Sequence, residues 1–291
     1  MTGTSGLILI DKPLGPTSHD VVARARRALR EKRIGHVGTL DPLATGLLGL
    51  LIGAATRLSE YLIEKDKRYR AQVRFGRATT TYDAEGEVTR ETGRAPERAA
   101  LEQALADFRG PLLQRPPAYS AIKRDGQRAY TLARRGEEVV LEPRSVTIHA
   151  LTLVEWNPPE AVLDVHCSSG TYIRSLAHDL GQALDVGAYL SGLRRTAVGP
   201  WTIEQACPLT DLEAGTASIL PMEDALPDWP VVALDADGAR RIWHGNTVPL
   251  GEGWSGPLAR AYNPAGAFFA ILRADPQHGV WRADKVLLEP A

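Results

Sequence analysis

The sequence predicts an α+β protein with a smaller β-rich module at its C-terminal end, and three observations carry that prediction. Short apolar or alternating runs, such as Gly6–Ile10, Leu47–Ile52 and Tyr69–Phe75, have the length and period of strands. Between them lie stretches with apolar residues at helical spacing, among them Val21, Val22, Ala25 and Leu29. Beyond a proline-rich joint, Leu226-Pro227-Asp228-Trp229-Pro230, the pattern becomes one helix followed by short strands. The joint divides the chain into an expected large domain, 1–227, and an appended module, 228–291.

Taken in order, Gly6–Ile10 reads as a buried strand and Asp11–Ser18 as a Pro/Gly turn. Thr17 or Ser18 then offers an oxygen to cap the first helix. Arg24, Arg26, Arg27, Arg30, Lys32 and Arg33 crowd its end, where cations suit the helix dipole, at a density beyond what capping needs. After a glycine-bracketed stretch, Gly38–Gly46, come the strand Leu47–Ile52 and an amphipathic helix, Ala55–Glu64. Tyr69, Ala71, Val73 and Phe75 alternate with polar residues, as in a half-buried strand. Residues 79–95 are polar and turn-rich, and Pro96–Phe108 reads as a helix. An arm over about 115–140 mixes Lys, Arg and Tyr with few large aliphatics, a composition suited to phosphate and base. Val146–Val154 and Ala161–His166 read as strands, and Thr171 as the cap of a helix reaching about Leu184. Arg174 falls in that helix's first turn, electrostatically out of place unless it pairs with a buried acid. Tyr189–Gly199 reads as a last large-domain strand. In the module, Asp235–Trp243 reads as helix, and Ala259–Tyr262, Phe268–Leu272 and Lys285–Leu288 as strands.

Composition bounds the function. With 291 residues, 44% of them hydrophobic, the chain can bury a large core and a small one. Its apolar runs fall far short of a membrane span, and Met1–Gly6 has no basic region of the signal-peptide kind. Two cysteines without C-x-x-C spacing argue against a disulfide scaffold or a zinc site, so a reducing cytoplasm is expected. The histidines show no ligand spacing along the chain, so no metal is expected either. The net charge of −1 conceals an asymmetry: residues 1–77 hold fourteen Lys/Arg against seven Asp/Glu, leaving −8 for the remainder. Such a basic third suggests a localised anion-binding face.

The stretch Gly38-Thr39-Leu40-Asp41-Pro42-Leu43-Ala44-Thr45-Gly46 presents a single carboxylate in a loop stiffened by proline. By itself it could be an ordinary Asp-Pro turn between strands. Six blocks together point further: Asp11–Ser18, Gly35–Gly46, Lys67–Arg70, Tyr119–Lys123, Gly170–Arg174 and Leu193–Arg195. In this order they resemble the bacterial tRNA pseudouridine-55 synthases, of the TruB family, over about residues 6–200. The tail resembles, more weakly, the small RNA-binding PUA module.

The resemblance implies a mixed, mostly antiparallel sheet flanked by helices. It also implies isomerisation of a uridine in the tRNA T-loop without cofactor or metal. Asp41 matches the carboxylate that acts at the sugar as nucleophile or charge stabiliser, Arg174 its cationic partner, and Tyr69 the ring that stacks on the target base and is a candidate proton acceptor during rearrangement. Tyr172 and Leu193 match pocket walls, and His36 the residue that fills space left by displaced nucleotides. Lys12, Arg33 and Lys123 are expected phosphate contacts. The base must flip to reach Asp41, at a cost of about a few kcal/mol. The expected partner is the T-stem-loop of tRNA, met by a monomer. Two alternatives remain open from sequence: an RNA-binding or RNA-folding factor without catalysis, and a hydrolase using Asp41, for which no second acid stands in a matched block.

Overall fold

The structure, a computed structural model, describes residues 5–120, 123–124, 127–128, 135, 141–251 and 254–289. Apolar Gly6–Lys12 forms β1, and the turn after it enters α1, Ser18–Leu29. Thr17 caps α1 reciprocally: its hydroxyl accepts from the Asp20 amide (3.1 Å) while the Asp20 carboxylate accepts from the Thr17 amide (2.8 Å). Ile34–Val37 forms β2, a short strand with no alternation long enough to reveal it in the sequence, and β3 spans Ala44–Ile52. The expected helix 55–64 is split into a 3₁₀ segment, Gly53–Leu58, and α2, Ser59–Ile63. There the Thr56 hydroxyl donates to the Gly53 carbonyl (2.7 Å), a local bond that competes with regular helix.

Strand β4 is Lys67–Phe75, and the turn-rich region holds a hairpin of β5, Arg77–Thr79, and β6, Val88–Glu91. Helix α3 (Arg98–Asp107) leads to β7 (Gly110–Gln114), and the arm contains the paired β8 (Lys123–Arg124) and β9 (Gln127–Arg128). Then come β10 (Arg144–Asn157), β11 (Glu160–Cys167), α4 (Ile173–Ala183) and β12 (Ala188–Val198). Two short strands, β13 (Trp201–Thr202) and β14 (Cys207–Pro208), precede α5 (Leu209–Ala214). The module comprises β15 (Val231–Ala233), α6 (Ala236–Trp243), β16 (Val248–Pro249), β17 (Leu258–Tyr262), β18 (Phe268–Asp275) and β19 (Val280–Val286).

Among the described residues the large sheet has ten strands, its path running β14-β1-β3-β12-β4-β11-β10-β7. It is mixed and mostly antiparallel; only β1–β14 and β3–β12 pair in parallel. One consequence for the site lies on β3. Its first edge pairs with β1 throughout, from Gly6↔Ile52 to Lys12↔Gly46. Its second edge is shared: β2 takes Gly49–Ile52, and β12 takes Ala44–Gly46. Residues 38–43 leave the sheet at this fork, so the Asp41 loop emerges where three strands meet.

One hydrophobic cluster joins the inner face of β4 and β11 (Ala71, Val73, Leu163, Val165) to Leu176 and Leu180 of α4. Another is common to both modules, with Leu226, Phe268, Ile271 and Leu287 packed beside Leu7, Leu51 and Leu58. The proline-rich joint is therefore a packed seam rather than a free linker. Arg260 fastens it by donating to the carbonyls of Glu223, Pro227 and Trp229, and Lys285 pairs with Glu60 (2.7 Å). The module's own five strands run β15-β17-β18-β19-β16.

Candidate active site

The Asp41 loop is locked from below by the first turn of the chain. The Ser18 hydroxyl, fully buried at the start of α1, accepts from the Leu40 amide (2.8 Å) and donates to the Leu40 carbonyl (3.0 Å). The Gly15 amide donates to the Pro42 carbonyl (3.0 Å), and the Ala44 amide closes a turn onto the Asp41 carbonyl (3.0 Å). Leu40 is buried in the core. With both neighbours held, Asp41 has little freedom, and its side chain remains 42% exposed.

Arg174 reaches this carboxylate from α4, its Nη2 lying 3.0 Å from Asp41 Oδ2. Its Nη1 lies 3.4 Å from Asp83 Oδ2, and its side chain is only 6% exposed. Further bonds to the carbonyls of Thr81 (3.2 Å) and Tyr119 (2.9 Å) fix the guanidinium plane. The misplaced cation is thereby explained, with one refinement. The buried acid that balances it is Asp83, 5% exposed, which leaves Asp41 open for chemistry. Asp83 is itself held by the Glu85 amide (3.1 Å) and the Thr81 hydroxyl. Sequence reasoning missed Asp83, because one acid in a polar, turn-rich stretch carries no periodicity that would mark it as buried.

Helix α4 begins differently from expectation. Tyr172, not Thr171, is its N-cap, and no side chain caps it. The Thr171 hydroxyl donates instead to the Ser168 carbonyl (3.0 Å). Tyr172 is positioned by Gln114 at the end of β7, whose buried amide accepts from the Tyr172 N–H (2.7 Å) and donates to its carbonyl (3.0 Å). That bidentate bond also fixes where Arg174 starts.

Tyr69 on β4 and Leu193 on β12 both touch the two cores that flank the loop, and Leu193 is registered opposite Ala44 and Ala71. Burial pushes the Tyr69 phenol above its usual value, against the pull of the Arg195 guanidinium. Asp41 also raises it, as it does that of Tyr172, each by a minor amount beside burial. A phenol held neutral in this way is a poor proton acceptor and a good stacking surface. Arg195, 1% exposed, fills the fork. Its Nε donates to the Leu47 carbonyl (2.8 Å) and its Nη2 to the Gly38 carbonyl (3.0 Å), groups lying where neither β2 nor β12 pairs with β3. Its inward direction was available in the sequence, since it stands two residues along a strand from Leu193.

The remaining residues divide. Lys12, expected as a phosphate contact, lies fully buried instead, its ammonium donating to the carbonyls of Pro13 (3.0 Å) and Pro16 (2.7 Å) beneath the turn. Burial lowers its pKa to about 8, with Asp41 pulling the other way. Arg33 is exposed, its Nε 3.8 Å from Glu31 Oε1. His36 on β2 is half-buried, edge-on to His19 at 5.2 Å, its Nδ1 buried without a hydrogen-bond partner among the described residues. Burial above all, helped by His19 and Arg195, brings its pKa down to about 4, so the ring is neutral. Lys123 stands on β8 in the arm, opposite Arg128.

One half-exposed carboxylate, clamped by a buried arginine beside aromatic walls, suits attack on or charge stabilisation of an electron-poor sugar carbon. Residues 26–173 match the family model described as the TruB family pseudouridylate synthase N-terminal domain, and 174–227 that of the tRNA pseudouridylate synthase B C-terminal domain. The chain belongs to the TruB family. It is 45% identical over 291 residues to a tRNA pseudouridine synthase B of Burkholderia mallei, covering 98% of this chain and 95% of that one. It is 50% identical over 244 residues to one of Symbiobacterium thermophilum, covering 82% of each. Among solved structures, a chain of an H/ACA ribonucleoprotein bound to a substrate RNA containing 2'-deoxyuridine superposes with a TM-score of 0.74 at 25% identity, over 97% of this chain and 85% of that one.

Proposed function

We propose that this chain is a tRNA pseudouridine synthase that isomerises uridine 55 of the T-loop. The single observation that carries the reading is the Asp41–Arg174–Asp83 array, in which a buried cation is neutralised from behind and a carboxylate is left exposed in front. A protein that only bound RNA would have no use for it. Family membership and the names of the relatives support the same reading.

In this mechanism the target uridine leaves its stack, costing about a few kcal/mol, and its uracil packs against Tyr69, Tyr172 and Leu193. Asp41 acts at the ribosyl–uracil unit while the C1′–N1 bond breaks. The detached uracil turns, C5 bonds to C1′, and the proton on C5 is released as N1 becomes protonated. The reaction is a balanced isomerisation needing no oxidant or second substrate. Apolar walls exclude the water that would otherwise capture the sugar cation. Arg33 and His36 meet the RNA beside the loop, and Lys123 in the 115–140 arm contacts phosphate. Domain 1–227 performs catalysis and module 228–291 adds RNA contact, within a cytoplasmic monomer.

The test is release of tritium from T-stem-loop RNA labelled at uridine C5. The wild-type protein should release it, and Asp41→Asn should slow single turnover by at least ~10³-fold while RNA affinity stays within several-fold. A folded wild-type sample that binds the RNA and releases nothing would identify a binding factor instead. Normal turnover by Asp41→Asn would overturn the role of Asp41.

A further inference from the structure

On the outer face of the large sheet, away from the pocket, three metal-ligating side chains converge that are scattered in sequence: Asp66, His149 and His166. Their donor atoms all lie within 4.8 Å of one another. His149 Nε2 is 3.2 Å from Asp66 Oδ2, and His166 Nε2 is 3.7 Å from the same oxygen. Along β11 the buried residues Leu163, Val165 and Cys167 alternate with Asp164 and His166, so His166 faces outward. Its partner on β4 is Arg68, which shares that face, while Tyr69 points to the pocket on the other.

His149 arrives by a local irregularity. Between Ile148 and Ala150 the pairing of β10 with β11 shifts by one residue, and both His149 and Ala150 turn outward. A bulge of this kind re-aims a side chain. Here it brings one imidazole beside another, with the ring centroids 4.8 Å apart. Apolar packing does not account for two imidazoles gathered on one carboxylate at an exposed face.

We infer that Asp66, His149 and His166 form a binding site for a divalent transition-metal ion of the zinc class. A tetrahedral ion with bonds of about 2.1 Å holds its ligand atoms roughly 3.4 Å apart, close to the two separations measured. The ligand set, two imidazoles and one carboxylate, is of borderline hardness and suits zinc, cobalt or nickel over magnesium or calcium. The fourth position opens to solvent and takes water. The ion would tie together the entry to β4, the end of β11 and the bulge of β10, and β10 is the strand that follows the RNA-facing arm. It would be structural, separated by the sheet from Asp41, and the proposed isomerisation does not pass through it.

The test uses untagged full-length protein freed of metal by chelation. Titration with Co²⁺ should give one saturable site per chain with the visible absorption bands of a tetrahedral ion, and Zn²⁺ should displace them. His149→Ala and His166→Ala should each weaken Zn²⁺ binding by at least about tenfold, with Asp66→Asn weakening it less. Zinc should raise the melting temperature of the wild type and of neither histidine variant, while tritium release from labelled RNA stays within twofold of wild type in all three. Absence of saturable binding, or binding equally tight in the two histidine variants, would overturn the site. Because binding is read without RNA, either outcome is independent of the isomerase reading.

Discussion

Gly46→Ala probes the fork from which the Asp41 loop emerges. Gly46 has φ +99°, and a Cβ built there would lie 2.3 Å from the Arg195 carbonyl oxygen and 2.8 Å from its nitrogen. These are backbone atoms of the parallel partner, with Arg195 registered on Gly46, so no side chain can turn aside. Ordinary contact begins near 3.4 Å, so β12 must retreat by about an ångström. Strain at this φ contributes about 1–3 kcal/mol and overpacking about 1–3 kcal/mol more. The expected loss is therefore about 2–6 kcal/mol, from a total that for single domains is about 5–15 kcal/mol. A retreating β12 carries Leu193 from the pocket and the Arg195 head from the Gly38 carbonyl. Urea denaturation should register the loss, and single turnover at saturating protein should slow by at least about tenfold. Gly15→Ala is the control: its φ is +104°, but nothing lies within 4 Å of the added carbon, so only the strain appears. A Gly46→Ala protein that loses under ~1 kcal/mol and turns over normally would refute the close-approach reasoning.

Two further outcomes follow from the buried charges. Asp83→Asn keeps the shape but leaves Arg174 paired only with the half-exposed Asp41, so stability should drop by about 3 kcal/mol. Turnover should fall with it; unchanged denaturation and unchanged single turnover would remove Asp83 from the array. His36 is neutral in the folded state, with a pKa of about 4 against 6.5 unperturbed. The unfolded chain therefore takes up the proton first on acidification. The contribution of neutral His36 is full above pH 6.5 and is lost as pH falls toward about 4. With its ring partly open to solvent, that loss should amount to about 2 kcal/mol. Comparing wild type and His36→Gln at pH 7 and pH 4.5 should show the wild type losing more; parallel losses would count against it.

Much of this protein is legible in its sequence because the relevant forces are local. Alternation marks β4 and β11, helical spacing and a Thr17–Asp20 cap mark α1, and an arginine in a helix's first turn signals an acid nearby. The Asp41 loop, Tyr69 and Arg174 stand in ordered blocks, and the fold places Arg174 against Asp41, the partner that the resemblance implied. What the tertiary structure alone decided concerns pairing across distance. Lys12 resembles a surface cation, yet the turn above it supplies two carbonyls and buries it. Short β2 and β7 have too few residues for a period, and only their neighbours β3 and β10 hold them as strands. Asp83 becomes the counter-ion of Arg174, and Arg195 the plug of a fork, because strands far apart in sequence end at one place. The same holds for Asp66, His149 and His166, which no ligand spacing announces and a one-residue bulge brings together. Periodicity reports which face a residue takes; only the folded sheet determines what stands opposite it.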